Sequence, residues 1–292
     1  MNGLSKEYNA IILYLLIFIM VISALIDGIY YSNNTKAVLN QTGKTYLPII
    51  MYHQVKDKGG GKDSITAYEL ESDLKYLKMN HYNTITMEEL LGYVYDNKIL
   101  PENPIILTFD DGYLSTYKYV FPLLKKYNMK IVLSIIGKSA DDFSEVKDEN
   151  IEYSHMTWDQ LNEMLESGLV EVQNHTYNMH TVKNGRKGCN QKPGESLHDY
   201  QSALTDDLTK LQNKIIENTG ESCSTFTYPY GVYNENTIAI IKQLGFKAAL
   251  SCRYGINVIS KDMDLYKLRR ICRSHGEPVQ KLIKEIMDLI KE

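Results

Sequence analysis

The sequence predicts an α/β fold whose parallel sheet closes, or nearly closes, into a barrel. Three observations carry this. From about residue 47 onward, short apolar runs alternate with segments of helical period, the pattern of βα units. About seven or eight such units follow one another, which favours a barrel over an open sheet. Several helix starts carry a Thr-x-x-Glu or Thr-x-x-Gln capping box, so the boundaries between units are marked.

Ile49–Tyr52 reads as the first strand. Thr66 with Glu69 opens a helix through Lys78, Asn83–Ile85 is a short strand, and Thr86 with Glu89 opens a helix to about Tyr95. Ile105–Phe109 is a strand, Thr116–Tyr127 a helix and Lys130–Ile136 a strand. Thr157 with Gln160 caps a helix that stops at Ser167-Gly168, and Leu169–Gln173 is the next strand. A long helix over Leu197–Asn218 ends near Gly220. Phe226–Tyr228 is a strand, Asn234–Leu244 a helix with Gly245 at its end, Phe246–Ser251 a strand and Pro278–Ile290 a final helix. The stretch 183–195 is rich in glycine and lysine and reads as a surface loop or a lid.

Ahead of these units, Ala10 to Ile26 carries no charge and is just long enough to cross a bilayer. Lys6 and the amino terminus precede it and Asp27 follows, so the N-terminus is expected inside and the rest outside. A cleavable signal peptide is the rival reading, but no A-x-A site follows. The expected organisation is a short cytoplasmic segment (1–9), a transmembrane anchor or signal segment (10–27), a linker (28–46) and one folded domain (47–292). Net charge is -4 over 292 residues, so no nucleic-acid partner is expected. Tyrosine is abundant (23, against 6 Phe and 1 Trp). Such surfaces suit carbohydrate, although a genomic bias is the simpler reading. Cys189, Cys223, Cys252 and Cys272 form no C-x-x-C pair. They read as free thiols or, outside the cell, as disulfides of undetermined pairing.

The chemistry concentrates at strand ends. The run Ile105-Ile106-Leu107-Thr108-Phe109 stops at Asp110-Asp111-Gly112. Neighbours on a strand face opposite ways, but a turn at glycine lets both acids reach one cavity. One acid can hold a metal while the other takes a proton from water. A second strand ends in Asn174-His175-Thr176-Tyr177-Asn178-Met179-His180. Two histidines and a carboxylate leave metal positions open, as catalytic sites do. At i and i+5 the histidines would sit about 140° apart on an ideal helix, so they converge only through a turn. A third strand end reads Thr227-Tyr228-Pro229-Tyr230-Gly231, where proline stiffens the approach to the Tyr230 N–H. That N–H could face a developing oxyanion. His53 ends the first strand and could line the pocket.

Together these segments resemble the polysaccharide deacetylase domain, or NodB-homology domain, of carbohydrate esterase family 4. The resemblance rests on Thr108–Gly112 (TFDDG), on His175 to His180 and on Pro229–Gly231, over roughly residues 47 to 290. The opening Pro48–His53 is similar to that of the membrane-linked branch. The resemblance implies a distorted (β/α)7-type barrel preceded by one N-terminal transmembrane helix. It implies a divalent metal, most simply Zn2+, with Co2+, Ni2+ or Fe2+ as alternatives. It assigns Asp110 as general base, Asp111, His175 and His180 as metal ligands, and Tyr230 as oxyanion donor. Pro229, Tyr230 and His53 would contact substrate. The substrate it implies is an N-acetylated cell-wall or extracellular polysaccharide, reached from the membrane. An O-acetyl esterase and a non-catalytic carbohydrate-binding protein are the other readings. Three departures bear on the site. The family usually spaces its two histidines by four, and the spacing of five between His175 and His180 occurs in a branch that includes exopolysaccharide deacetylases. Thr227 stands where the family carries an arginine that orients the base, with Arg269, Arg270 and Arg273 as replacements. The tryptophan-bearing motif is not recognisable, and His275 is the expected acid for the leaving group.

Overall fold

The computed structural model describes residues 44–288 together with Phe18, Met20 and Ile22. The second of two compact units, Tyr46–Glu292, carries the elements named here. Seven parallel strands run through one curled sheet: β1 (Ile49–Tyr52), β2 (Pro104–Asp111), β3 (Ile131–Ile135), β4 (Val170–Asn174), β5 (Thr225–Thr227), β6 (Ala248–Leu250) and β7 (Ile271–Cys272). Their order is β6-β5-β4-β3-β2-β1-β7, with the short strand Asn83–Thr84 beside β2. Beyond β6, the backbone of Leu265 and Leu268 bonds Ala249 and Ser251, and the same segment leads into β7. The sheet therefore curls back toward its own first strands.

Side chains alternate across this sheet and divide its core in two. Ile105, Leu107, Phe109, Ile131, Leu133, Val172 and Phe226 point outward into the larger cluster. There they meet the helices α1 (Ala67–Met79), α3 (Phe121–Tyr127), α5 (Trp158–Glu166), α6 (Leu197–Thr219), α7 (Glu235–Gln243) and α8 (Val279–Asp288). Ile49, Ile106, Val132, Ala248 and Leu250 point inward, and α2 (Met87–Tyr95) closes that end with Met87, Leu90 and Val94. Further along β2, β3 and β5 the inner face turns polar at Thr108, Asp110, Ser134 and Thr227, all buried. An apolar plug below and a polar ring above give the sheet one end suited to chemistry.

The three Thr-started capping boxes form as expected, at Thr66, Thr86 and Thr157. Other segments differ from the sequence reading. Thr116–Val120 is a π turn, with the Phe121 N–H donating to the Thr116 carbonyl. Pro122 follows it and has no N–H to continue an α ladder. The helix α4 (Gly137–Glu145) was not expected, because its N-cap Ile136 offers no capping side chain. Its first N–H groups instead donate to the carbonyls of Thr176 and Tyr177, at 3.1 and 2.8 Å. Strand β7 is too short to show any period. The stretch read as a loop or lid contains an antiparallel hairpin, Val182–Lys183 against Arg186–Lys187, turned by Asn184-Gly185. Asn-Gly with both φ values positive is a hairpin turn signal that the glycine-rich reading passed over. All four cysteines are free thiols, so no disulfide is formed among them. Among the described residues no helix is long and apolar enough to cross a membrane. The expected span 10–27 lies outside the described residues except for Phe18, Met20 and Ile22.

The C-terminal segment is locked to α1 by Glu69. Its carboxylate accepts the Thr66 N–H of its own capping box, the Gly276 N–H and the His275 ring, the last at 2.7 Å. Burial pushes this carboxyl up, but those hydrogen bonds outweigh it and hold it at about 2, against an ordinary 4.5. A depressed carboxyl stabilises the fold fully above its unfolded value, and that stability is lost as pH falls through the folded value. Thermal melts between pH 5 and 2 should therefore show Tm falling more steeply for the wild type than for Glu69→Gln. Parallel curves for the two proteins would show that Glu69 carries no such linkage.

Candidate active site

The register of the sheet brings the strand ends together. Asp110 lies opposite Ser134 and Asp111 opposite Ile135, while Ile135 pairs with Asn174 and Asn174 with Phe226. Alternation sends Asp110 inward and would send Asp111 outward. Asp111 instead takes a left-handed backbone, φ 71, followed by Gly112 at φ 79. The turn thus begins at the second acid itself, one residue earlier than the glycine reading expects. Thr176 (φ 75) and Tyr230 (φ 57) are also left-handed, at the ends of β4 and β5. Non-glycine residues in this region are strained by roughly 1–3 kcal/mol each and cluster at functional sites.

Asp111, His175 and His180 converge. Their ligand atoms all lie within 4.8 Å of one another, with Asp111 Oδ1 3.5 Å from His175 Nε2 and 3.4 Å from His180 Nε2. The i, i+5 spacing closes through the turn at Thr176 rather than through a helix. His175 Nδ1 lies 2.8 Å from the Thr227 carbonyl, which can only accept. Nδ1 therefore carries a proton, and Nε2 is the ring atom that faces Asp111. Burial, and then the His175 charge, push His180 down to about 4, so it is neutral near pH 7. Burial raises the Asp111 carboxyl, but the two imidazoles that face it outweigh this and hold it well below the carboxylate range.

This donor set passes a direct test for a divalent cation. Asp111 Oδ1 is buried and has no hydrogen-bond partner, although it faces two imidazole nitrogens. A buried carboxylate oxygen without a partner is costly unless a cation satisfies it. One carboxylate and two imidazoles suit zinc and its neighbours and leave positions open.

Asp110 stands beside this set and is held differently. Arg270, fully buried, grips it with two parallel bonds, Nη1 to Oδ1 and Nη2 to Oδ2, each 2.8 Å. The guanidinium is fixed in turn by the Ser251 carbonyl at 2.9 Å and by Thr108 Oγ1 at 3.1 Å. Burial would raise the Asp110 carboxyl, but the Arg270 charge and bonds, with His175, keep it below its ordinary value. Of the three arginines considered, Arg270 alone reaches the base position. Arg273 binds Asp73 at 2.7 Å and Arg269 bonds the Tyr254 carbonyl at 3.1 Å. Thr227, at the usual arginine position, shares a 2.7 Å hydroxyl bond with Ser134 and orients His175 through its carbonyl.

His53 Nε2 is 3.9 Å from Asp110 Oδ2, and its side chain is 19% exposed. His275 is not brought to this cluster. Its Nδ1 meets Glu69 and its backbone N–H donates to Gly61, because the chain after β7 turns toward α1. At the third strand end the N–H groups of Gly231 and Val232 make the turn's bonds, to Tyr228 and Pro229, and that of Tyr230 is not among them. Pro229 is buried, while Tyr230 is 41% exposed with its ring centroid 4.5 Å from that of His180.

Two positioning residues escaped the sequence reading. Asp207 on α6 accepts the N–H groups of Tyr177 and Asn178, at 2.7 and 2.9 Å, and so pins the loop between the two histidines. His155 Nδ1 donates to the Asp111 carbonyl at 3.0 Å, while its ring stacks on Tyr113. Neither lies near a strand end in a recognisable pattern, and only the helix packing brings them in.

Removing one partner of a buried ion pair costs about 3–5 kcal/mol. Arg270→Ala should lose about that much in denaturant unfolding, and Arg270→Lys should recover only part of it, since lysine cannot grip two oxygens. Outer-shell substitutions at metal sites cost about 10- to 100-fold in affinity. Asp207→Ala should weaken Zn2+ binding by that factor in a competition titration while the circular dichroism spectrum stays folded. Unaltered affinity would show that the loop needs no such clamp.

Comparison with known proteins bears on this geometry. Residues 97–249, just over half of the chain, match the polysaccharide deacetylase family. The poly-β-1,6-N-acetyl-D-glucosamine N-deacetylase of Staphylococcus epidermidis is 27% identical over 248 residues, covering 80% of this chain and 81% of that protein. The solved de-N-acetylase of Aggregatibacter actinomycetemcomitans superposes with a TM-score of 0.68 at 26% identity, over 78% of this chain and 94% of the other. IcaB from Ammonifex degensii gives 0.65 at 27% identity, over 78% and 91%. With the family matched across the three strand ends that build the site, this chain belongs to the polysaccharide deacetylases and is a hydrolase of amide bonds.

Proposed function

We propose that this chain is a metal-dependent N-deacetylase of N-acetylglucosamine-type polysaccharide at the outer face of the cell, tethered through residues 10–27. The observation that carries the reading is a buried carboxylate, Asp110, gripped by Arg270 directly beside the Asp111–His175–His180 set. A carbohydrate-binding protein has no need of an ionised base next to three metal ligands. The arginine that the family carries at the Thr227 position has a counterpart in Arg270, which grips Asp110 from the start of β7. The likeness to poly-N-acetylglucosamine deacetylases supports the substrate class.

Asp111, His175 and His180 would hold the cation. When bound, it would polarise the acetamide carbonyl and lower the pKa of water, with zinc the simplest candidate. Asp110, kept ionised by Arg270, accepts the proton of the attacking water. The Tyr230 N–H, in a left-handed turn at the strand end, would donate to the oxyanion that forms on the acetyl oxygen. His53, on the accessible side of Asp110, donates a proton to the departing amine. His275 is the weaker choice for that step because Glu69 holds its ring.

The test is acetate release from N-acetylglucosamine oligomers by the full-length chain loaded with Zn2+. Asp110→Asn should slow it by about 100- to 10,000-fold while zinc stays bound, and His53→Gln should cost more than His275→Gln. A zinc-loaded protein that releases no acetate overturns the proposal.

A further inference from the structure

The hairpin Val182–Lys183/Arg186–Lys187 grows directly out of the metal segment. His180 is followed by Thr181, whose carbonyl accepts the Gly188 N–H at 2.9 Å and closes the hairpin's base. Gly188 packs on the Pro229–Gly231 turn so closely that an added Cβ would lie 2.8 Å from the Pro229 carbonyl. The two faces of the hairpin differ, because cross-strand partners share a face. Lys183 and Arg186 share one, where Arg186 pairs with Glu195 and bonds the Asn190 carbonyl at 2.8 Å. Val182 and Lys187 share the other. There the Lys187 ammonium stands 5.6 Å from the centre of the Tyr230 ring, the ring that lies against His180. Lys187 is exposed and has no carboxylate within ion-pair distance among the described residues. It is a positive charge at the rim of the site, within about one Debye length (about 10 Å at 0.1 M salt) of His180.

The reaction proposed above changes the charge of its own polymer. An acetamide sugar is neutral, and the amine left behind takes up a proton. We propose that Lys187 is a specificity-determining residue, whose ammonium disfavours polymer that already carries free amines beside the reacting sugar. Acetyl groups are then removed at spaced positions rather than in blocks. This rests on the deacetylase reading, and on Tyr230 bordering the site. Like charges at this separation near a protein surface repel enough to shift binding about three- to tenfold at low salt, and salt screens the effect.

Two probes test it: a fully N-acetylated glucosamine hexamer, and the same hexamer with free amines on alternate sugars. The readouts are kcat/KM for acetate release and Kd by calorimetry, for the full-length zinc-loaded chain and its Lys187→Gln and Lys187→Glu forms. The wild type should favour the fully acetylated hexamer about three- to tenfold at low salt. Counted per acetyl group, Lys187→Gln should bring that ratio close to one, Lys187→Glu should reverse it, and high salt should abolish the differences. A lysine with a merely structural role would change both probes alike. Equal ratios in all three proteins at low salt overturn the proposal. If neither hexamer releases acetate, the deacetylase reading falls, and the Kd ratios still decide whether Lys187 senses charge.

Discussion

The pair Asp110–Arg270 is the interaction on which the rest of this structure depends. It joins the end of β2 to the start of β7, 160 residues apart in the chain, and both partners are buried. A buried charge is tolerable only when it is paired and its remaining hydrogen-bonding capacity is used. Arg270 meets that condition with both oxygens of Asp110, the Ser251 carbonyl and the Thr108 hydroxyl. The same contact ties the start of the sheet's last strand to β2 and keeps the Asp110 carboxylate ionised. Folding and the proposed catalysis thus rest on one pair.

Around that pair, backbone strain is concentrated where the chemistry is. Asp111, Thr176 and Tyr230 each take a left-handed backbone at a different strand end. The conformation turns Asp111 from the outer face to the inner one, bends the metal segment so that His175 meets His180, and exposes the Tyr230 ring. Packing holds each of them. His155 bonds the Asp111 carbonyl, α4 takes the Thr176 carbonyl onto its first N–H, and Gly188 sits against Pro229. A strained residue keeps its conformation only when several neighbours require it.

A second buried charge network ties the outside of the sheet to the C-terminal helix. Asp73 on α1 accepts from Arg273, from the Tyr52 hydroxyl and from the Val279 N–H. Arg270 and Arg273 are three residues apart and serve different partners on opposite sides of the sheet. Either could have been assigned to the base from sequence. Only the direction in which each side chain leaves the chain around β7 separates them.

Local chemistry was readable in the sequence. Capping boxes depend on residues three apart, so Thr66, Thr86 and Thr157 marked their helices correctly. Alternation and glycine marked the strand end at Asp110-Asp111, and the resemblance to the family assigned Asp111, His175 and His180 to one set. Tertiary contact decided the rest. The helix α4 starts on carbonyls borrowed from the loop between His175 and His180, His275 is drawn away to Glu69, and Asp207 and His155 reach the site through packing alone. The physical reason is range: propensity, capping and turn chemistry act over three or four residues. The partner of a buried charge is set by which distant strand end the fold delivers beside it.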